Sequence, residues 1–348
     1  MAVYHDEWSV LAVMAAQHRG ESMRVLVTGG SGYIGSVAIE RLLAAGHDVV
    51  ALDSLVRGHA AAVSAEVPLI QCDLRDPDAT RAAVIESGAD AIMHFAALHL
   101  VPESVINPGA YYQTNVAGGI NLLCAAAEGG IKRFVFSSTA AVYGEPKFLP
   151  VNENDPKEPI NPYGHSKWMV EQFFPAFERE HGLNWAAFRY FNVAGATEVH
   201  GEDHDPETHV IPVALQVLQG KREAFTVFGT DYPTPDGTCI RDYVHVIDLA
   251  DAHITALEKL GERSLGPINL GTRDGFSVKE IVDAVERVTG QTLNVKYGER
   301  RPGDPPALIA DTSKAQELID WNPVHSTMDQ MIGSAWAWMQ AHPNGYDD

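Results

Sequence analysis

An apolar run that ends in clustered glycines, MRVLVTGG at 23–30, passes directly into a stretch with helical spacing, YIGSVAIERLLAAGH at 33–47. A short strand that is apolar throughout belongs inside a parallel sheet, where both faces are covered. The second strand, HDVVALD at 47–53, follows that helix, and the rhythm continues through VPLIQCDL, ATRAAVIESG, DAIMHFAA, YYQTNVAGGINLLCAAAEGG, RFVFSST and NWAAFRYFN. Strands alternating with helices across 23–192 predict an α/β fold, a doubly wound parallel-sheet Rossmann domain with helices on both faces. After Asn192 the rhythm breaks into polar loop (195–209) and a turn cluster (231–238), with helices and short strands between. Residues 193–348 therefore read as a smaller mixed α/β substrate domain that forms a cleft with the first, and the chain has room to return to the first sheet near 240–270. No internal repeat is evident.

The glycines carry chemistry. TGGSGYIG (28–35) satisfies Gly30-x-Gly32-x-x-Gly35 and Gly29-x-x-Gly32-x-x-Gly35 at once. Glycine patterns alone are weak, but this one closes a strand and opens a helix, the context of a dinucleotide fingerprint. Missing side chains let backbone N–H groups approach a pyrophosphate at a helix N-terminus. Asp53 ends the second strand, where a carboxylate accepts hydrogen bonds from a ribose 2′-OH and repels a 2′-phosphate, so NAD is expected. Arg57 is a mild signal the other way.

Two stretches place a tyrosine four residues before a lysine: YGEPK at 143–147 and YGHSK at 163–167. Positions i and i+4 share a helix face. Pro146 pushes the residue before it out of the α region, so Tyr143 and Lys147 should lie in a loop and diverge. YGHSK runs on into WMVEQFF, and Tyr163 and Lys167 should converge. A phenol acts as a base at neutral pH only if its anion is stabilised, which Lys167 and a positive nicotinamide ring can supply. Hydroxyls of SST at 137–139 are placed to hydrogen-bond the reacting oxygen. This constellation suits hydride transfer between a carbinol and a nicotinamide.

Composition bounds the partners. A net charge of −21 and a pI near 5.0 argue against a nucleic-acid surface. Three cysteines, Cys72, Cys124 and Cys239, are odd in number and lack metal spacing, which fits free thiols and a cytoplasmic location. No apolar run reaches the length of a membrane span. WSVLAVMAA (8–16) faintly resembles a signal core, but Asp6 and Glu7 precede it where positive charge is needed. Residues 1–22 read as a loose extension ahead of Met23.

Taken together, TGGSGYIGS, LDSLVRGH, HFAALHLVPESV, YYQTNVAGG, SSTAAVYG, NPYGHSK, RYFNVAGA, FGTDYPTPDGTCIRDYVHV and RRPGD resemble the extended short-chain dehydrogenases/reductases of the NAD-dependent epimerase/dehydratase type, across essentially all of 23–348. The resemblance implies a homodimeric isomerase that inverts C4 of a UDP-sugar, interconverting UDP-galactose and UDP-glucose through a 4-keto sugar with retained NAD. It implies that Gly29, Gly32, Tyr33, Ile34, Gly35, Asp53, Asp73, Leu74, Phe95, Ala96, Ala97, Asn115 and Ser137, with Tyr163 and Lys167, line the cofactor. Thr139, Tyr163 and Lys167 would be catalytic. Thr139 and Tyr163 would also meet the UDP-sugar, with Asn192, His209, Val210, Arg241, Arg301, Asp304 and Leu308. Relatives that eliminate water or CO₂ carry acidic residues after the threonine, and Ala140 and Ala141 stand there, which favours epimerisation.

Some positions depart from the family pattern. His99 replaces a frequent lysine near the cofactor phosphates, and Thr139 replaces a frequent serine. Pro175 interrupts the helix of Tyr163, which bears on a dimer built from that helix and the one through 111–128. Leu308 stands where some relatives carry a large aromatic, leaving room for an N-acetyl group at C2. HGEDHDPETH (200–209) invites a metal reading, but Gly201 and Asp205-Pro206 argue against a helix aligning His200 with His204, so a mobile, solvated substrate loop and no metal are expected. A UDP-pentose (xylose or arabinose) 4-epimerase, a 4-ketosugar reductase and a non-catalytic NAD-sensing protein remain alternatives. Loss of Tyr163 or Lys167, expected of the sensor, is not seen.

Overall fold

The computed structural model describes residues 22–301 and 304–347; the extension expected over 1–22 lies, but for its last residue, outside them. Seven parallel strands form the central sheet: β1 (Arg24–Thr28), β2 (Asp48–Asp53), β3 (Leu69–Gln71), β4 (Ala91–His94), β5 (Arg133–Thr139), β6 (Asn184–Tyr190) and, late in the chain, β11 (Gly266–Leu270). Their spatial order is β3-β2-β1-β4-β5-β6-β11, so the order reverses beside β1. A switch point of this kind opens a crevice at the carboxyl ends of the strands. Alternate residues feed different layers. Val25, Val27, Met93 and Val135 pack on one face, Leu26, Val50, Ile92 and Phe136 on the other. That two-sided burial is why the strands read as continuous apolar runs.

Local chemistry sets the helix ends. Helix α1 (Tyr33–Ala44) starts at Gly32 with no side-chain cap, leaving its first N–H groups for a ligand. Helix α2 (Pro77–Ser87) is capped by Asp76, begins with proline and ends on left-handed Gly88. The stretch through 108–128 is not one regular helix. A π-helical segment, Tyr112–Ala117, precedes α3 (Gly118–Glu128) and holds Asn115. Helix α4 (Pro162–Glu171) is capped by Asn161, whose Oδ1 accepts from Gly164 N at 2.8 Å, so YGHSK forms its first turns. The chain turns at 172–173 and resumes as α5 (Phe174–His181) with Pro175 in its first turn, where no intrahelical N–H is needed.

Beyond β6 the chain builds a second layer and also revisits the first. β7 (Asn192–Ala194) pairs with β10 (Tyr243–His245), and β8 (Phe225–Phe228) with β13 (Val295–Gly298). β9 (Ile240–Arg241) lies between β12 (Phe276–Ser277) and β14 (Ala307–Leu308). Helices α6 (Val210–Leu218), α8 (Val278–Thr289) and α9 (Met328–Ala341) close a separate core around Ile211, Leu215, Ile281, Val285, Met331 and Trp338. Helix α7 (Val246–Lys259) crosses back beside α1, and Arg41 of α1 donates to Asp251 at 2.8 Å. β11 then extends the first sheet next to β6. Among the described residues no helix is long and apolar enough to cross a membrane.

Candidate active site

A cleft of about 1240 Å³ runs from the glycine loop, over the carboxyl ends of the sheet, to β9 and β14. Every residue expected at the site lines it except Asn115. Asn115 is buried and fully engaged. Its Oδ1 accepts from Leu98 N at 2.8 Å, and its Nδ2 donates to Leu98 O and Ser166 Oγ. Through these bonds it holds the Leu98 segment, which does line the cleft.

The glycine end fits NAD. Gly29 has φ +73°, and a β-carbon there would meet Ala96 N at 2.5 Å; one on Gly35 would meet Gly29 O at 2.0 Å. Around Gly32 there is space, with Gly29 O at 3.4 Å the sole near atom, so this is where a pyrophosphate can approach the backbone. Ser31 Oγ is buried with no hydrogen-bond partner, a donor held in reserve at the same spot. Asp53 accepts from Ser31 N at 3.1 Å and Leu55 N at 2.9 Å; burial raises its pKa while these amides oppose the shift. Asp73 is held low by Arg75. Arg57 pairs with Glu103 at 2.8 Å rather than facing Asp53.

At the centre, Tyr163 and Lys167 share one face of α4. Lys167 is buried, donates to Ser137 O at 2.8 Å and sits over the Phe136 ring; burial lowers its pKa to about 7. Burial pushes the Tyr163 phenol up to about 12, and a hydrogen bond with Thr139 pulls the other way. Thr139 Oγ1 also accepts from Ala141 N at 3.1 Å. Ala140 and Ala141 line the cleft with methyl groups that cannot transfer a proton. Lys167 does not hold the phenol below its ordinary value here, so the positive charge expected from the nicotinamide has to supply that part.

YGEPK behaves differently from YGHSK, and not only because it is a loop. Tyr143 is buried while Lys147 is exposed, so the pair diverges as expected. The Tyr143 hydroxyl donates to Asn269 Oδ1 at 2.6 Å and accepts from Arg189 Nη1 at 3.0 Å. Arg189 in turn forms a buried ion pair with Glu171 at 2.5 Å, at the end of α4. The tyrosine dismissed as loop thus ties β11 and β6 to the helix that carries Tyr163.

At the far end, Arg241 pairs with Asp304, Arg301 lies 4.0 Å from the centroid of the Phe228 ring, and Leu308 closes the wall. Segment 200–209 departs from its expected description. Glu207 is buried, Glu202 and His204 are largely so, and His200 is taken by Glu40 at 2.7 Å. His204 and His209 instead converge on Glu202 and Glu207. Burial opposes protonation of His204, but those carboxylates override it and raise the ring to about 9. Burial likewise opposes a charged Glu207, and hydrogen bonds from both histidines overcome it, leaving its pKa low. His99, neutral because it is buried beside these rings, completes the wall. The sequence reading missed Ser31, Glu202, Glu207 and Tyr346, which also line the cleft. Glycine-rich or acidic context pointed to the first three. Nothing local marked Tyr346.

A Rossmann sheet, a glycine cradle at its switch point and a Tyr-x-x-x-Lys helix beside a threonine define a nicotinamide-dependent enzyme working on a carbinol carbon. The chain belongs to the NAD dependent epimerase/dehydratase family, whose model matches residues 25–271. It is 48% identical over 330 residues to a UDP-glucose 4-epimerase of Lacticaseibacillus casei, covering 94% of this chain and 99% of that one. A UDP-glucose 4-epimerase of Stenotrophomonas maltophila, solved with NAD and formylated UDP-arabinopyranose, superposes with a TM-score of 0.88 at 39% identity, covering 92% of this chain and 99% of the other. The UDP-Glc/GlcNAc 4-epimerase of Campylobacter jejuni does so with a TM-score of 0.82 at 38% identity, covering 91% and 99%. The chain is an isomerase of this NAD-dependent family.

Proposed function

We propose that the chain interconverts UDP-galactose and UDP-glucose by oxidising and re-reducing C4 at the Thr139–Tyr163–Lys167 cluster. The observation that carries this reading is the placement of that cluster between a cradle fitted to NAD and an arginine-bearing end suited to a diphosphate, with two alanines where an eliminating enzyme needs an acid. NAD held by Gly29, Gly32, Gly35 and Asp53 would supply the hydride acceptor and donor for C4. Tyr163 takes the proton from the 4-OH and gives it back, while Thr139 holds the reacting oxygen through its hydroxyl. Lys167, buried and close to neutrality in its pKa, supplies positive charge beneath the phenol when protonated. Arg241 and Arg301 grip the diphosphate, as planar guanidinium groups suit phosphate oxygens. That anchor lets the 4-ketosugar rotate and present its other face without leaving. Asn192, Val210 and Asp304 border the sugar nucleotide, and His209 contributes through its backbone or Nε2, because its Nδ1 is engaged by Glu202 and Glu207.

Leu308 favours a second substrate. A leucine in the wall leaves more space at C2 than an aromatic ring, which supports turnover of UDP-N-acetylglucosamine as well. We also assign a homodimer through α4 and the helical stretch 111–128, with exposed Val105 and Ile106 on the adjoining turn, and a cytoplasmic location. The test is to incubate purified protein with UDP-galactose, no cofactor added, and follow the sugar by NMR. UDP-glucose should accumulate to equilibrium. Absence of conversion with and without added NAD would sink the reading.

A further inference from the structure

We infer that Glu202, His204, Glu207 and His209 form a zinc-binding site, closed by four protein ligands, on the loop between β7 and α6. Each of the four side chains offers one ligand atom, a ring nitrogen or a carboxylate oxygen, and these atoms all lie within 4.8 Å of one another. His209 Nδ1 stands 2.7 Å from Glu202 and 2.9 Å from Glu207; His204 Nδ1 stands 3.0 Å and 3.7 Å from the same two carboxylates. A tetrahedral zinc with bonds of about 2.0–2.1 Å separates its ligand atoms by about 3.3 Å. These separations, which reach one oxygen of Glu202 and both oxygens of Glu207, bracket that value. Small movements of side chains already in contact are therefore enough to seat the ion, without refolding the loop.

The donor chemistry agrees. Two imidazoles and two carboxylates suit zinc better than the all-oxygen sets of calcium or magnesium. His99 gives an independent pointer. Its buried Nε2 has no hydrogen-bond partner, and its ring lies 4.6 Å from that of His204 and stacks at 5.9 Å on that of His209. That unpartnered nitrogen, on a ring packed against both ligand imidazoles, is a second and geometric mark of a site at this place.

Four protein ligands leave no open position, so the ion would be structural. Its place in the fold says what it would fix. The ligand segment runs into Val210 at the start of α6, and His204 meets the Tyr33 ring edge-on at 6.3 Å, in the first turn of α1. Zinc would thus clamp the wall of the sugar end onto the cofactor cradle. This inference does not depend on which sugar nucleotide is turned over.

Untagged protein, freed of loose metal by gel filtration, should retain about one zinc per chain by elemental analysis. Cobalt added to zinc-depleted protein should give the intense visible bands of tetrahedral coordination, without the thiolate charge-transfer band that cysteine ligation would add. His204→Ala/His209→Ala should lose both signals. Should that variant fold poorly, Glu202→Gln and Glu207→Gln keep side-chain volume and should each lower zinc affinity at least tenfold in competition with a chromophoric chelator. Wild-type protein without retained zinc and without cobalt bands overturns the assignment. So does equal zinc affinity in the wild type and the Glu→Gln variants.

Discussion

Tyr143 and Tyr163 sit in look-alike motifs, and the structure gives opposite expectations for removing each hydroxyl. Tyr143→Phe deletes the 2.6 Å bond to Asn269 and the 3.0 Å bond from Arg189 inside a buried network. Asn269 keeps its bond to Val151 O, and Arg189 keeps Glu171, so the network is weakened rather than emptied. A lost bond to a buried charged group costs about 1.5–3 kcal/mol, so about 2 kcal/mol is expected here. For a chain of 348 residues, at about 2.1 cal/mol/K of unfolding entropy per residue, that lowers Tm by about 3 °C. Activity per folded molecule should fall less than tenfold, since no reacting atom is touched. Tyr163→Phe removes a hydroxyl that faces the cleft and bonds Thr139, and its Tm should move by less than about 2 °C. Turnover should drop by about a thousandfold or more, the scale of a lost general base. Differential scanning calorimetry and NMR progress curves on both variants measure the four quantities. Equal loss of turnover at both tyrosines, or an unchanged Tm in Tyr143→Phe, would refute the division of roles.

Three further outcomes are expected. Lys167 has its folded-state pKa lowered to about 7 from 10.5, so the folded protein binds fewer protons than the unfolded chain between those values, and stability climbs as pH rises through them. Lys167→Met in cofactor-stripped protein should therefore be more stable than wild type at pH 6, by about 2 kcal/mol: about 5 from relieved desolvation, less about 3 for the stranded Ser137 carbonyl. Denaturant titrations from pH 6 to 10 should show that advantage shrink and then reverse, since the Lys167 penalty fades toward pH 10 while the stranded Ser137 carbonyl does not; a constant difference would contradict the burial account. Arg241→Ala should raise KM for UDP-galactose about 30-fold, as loss of a charge-assisted bond implies, while NAD stays bound by absorbance. Leu308→Tyr should cut kcat/KM for UDP-N-acetylglucosamine at least tenfold more than for UDP-glucose in coupled assays, and parallel losses would remove Leu308 from the specificity argument.

What could be read from the sequence was whatever obeys a short-range rule. A strand buried on both faces writes a continuous apolar run, a phosphate cradle writes glycines at fixed spacing, and i,i+4 on a capped helix places Tyr163 over Lys167. Each rule converts sequence distance into spatial distance, so Gly29, Asp53, Thr139 and Tyr163 could be placed together before the fold was seen. What the sequence does not show lies where no such conversion exists. Asn115 sits in a π-helical turn, which aims a side chain differently from the α-helix that its sequence suggests, and its amide is spent on Leu98 instead of the cleft. The Tyr143 hydroxyl meets Asn269, 126 residues away, on a strand that joins the sheet only after the chain has left it to begin the second layer. A helical test separates His200 from His204 and says nothing of the other residues in the segment. But a loop needs no helix to bring ligands together. In 202–209 the chain folds back, so Glu202 and His209, seven positions apart, stand 2.7 Å from each other, while His200 turns away to Glu40. A helical spacing rule can disqualify a pair; it carries no information about the pairs a loop creates.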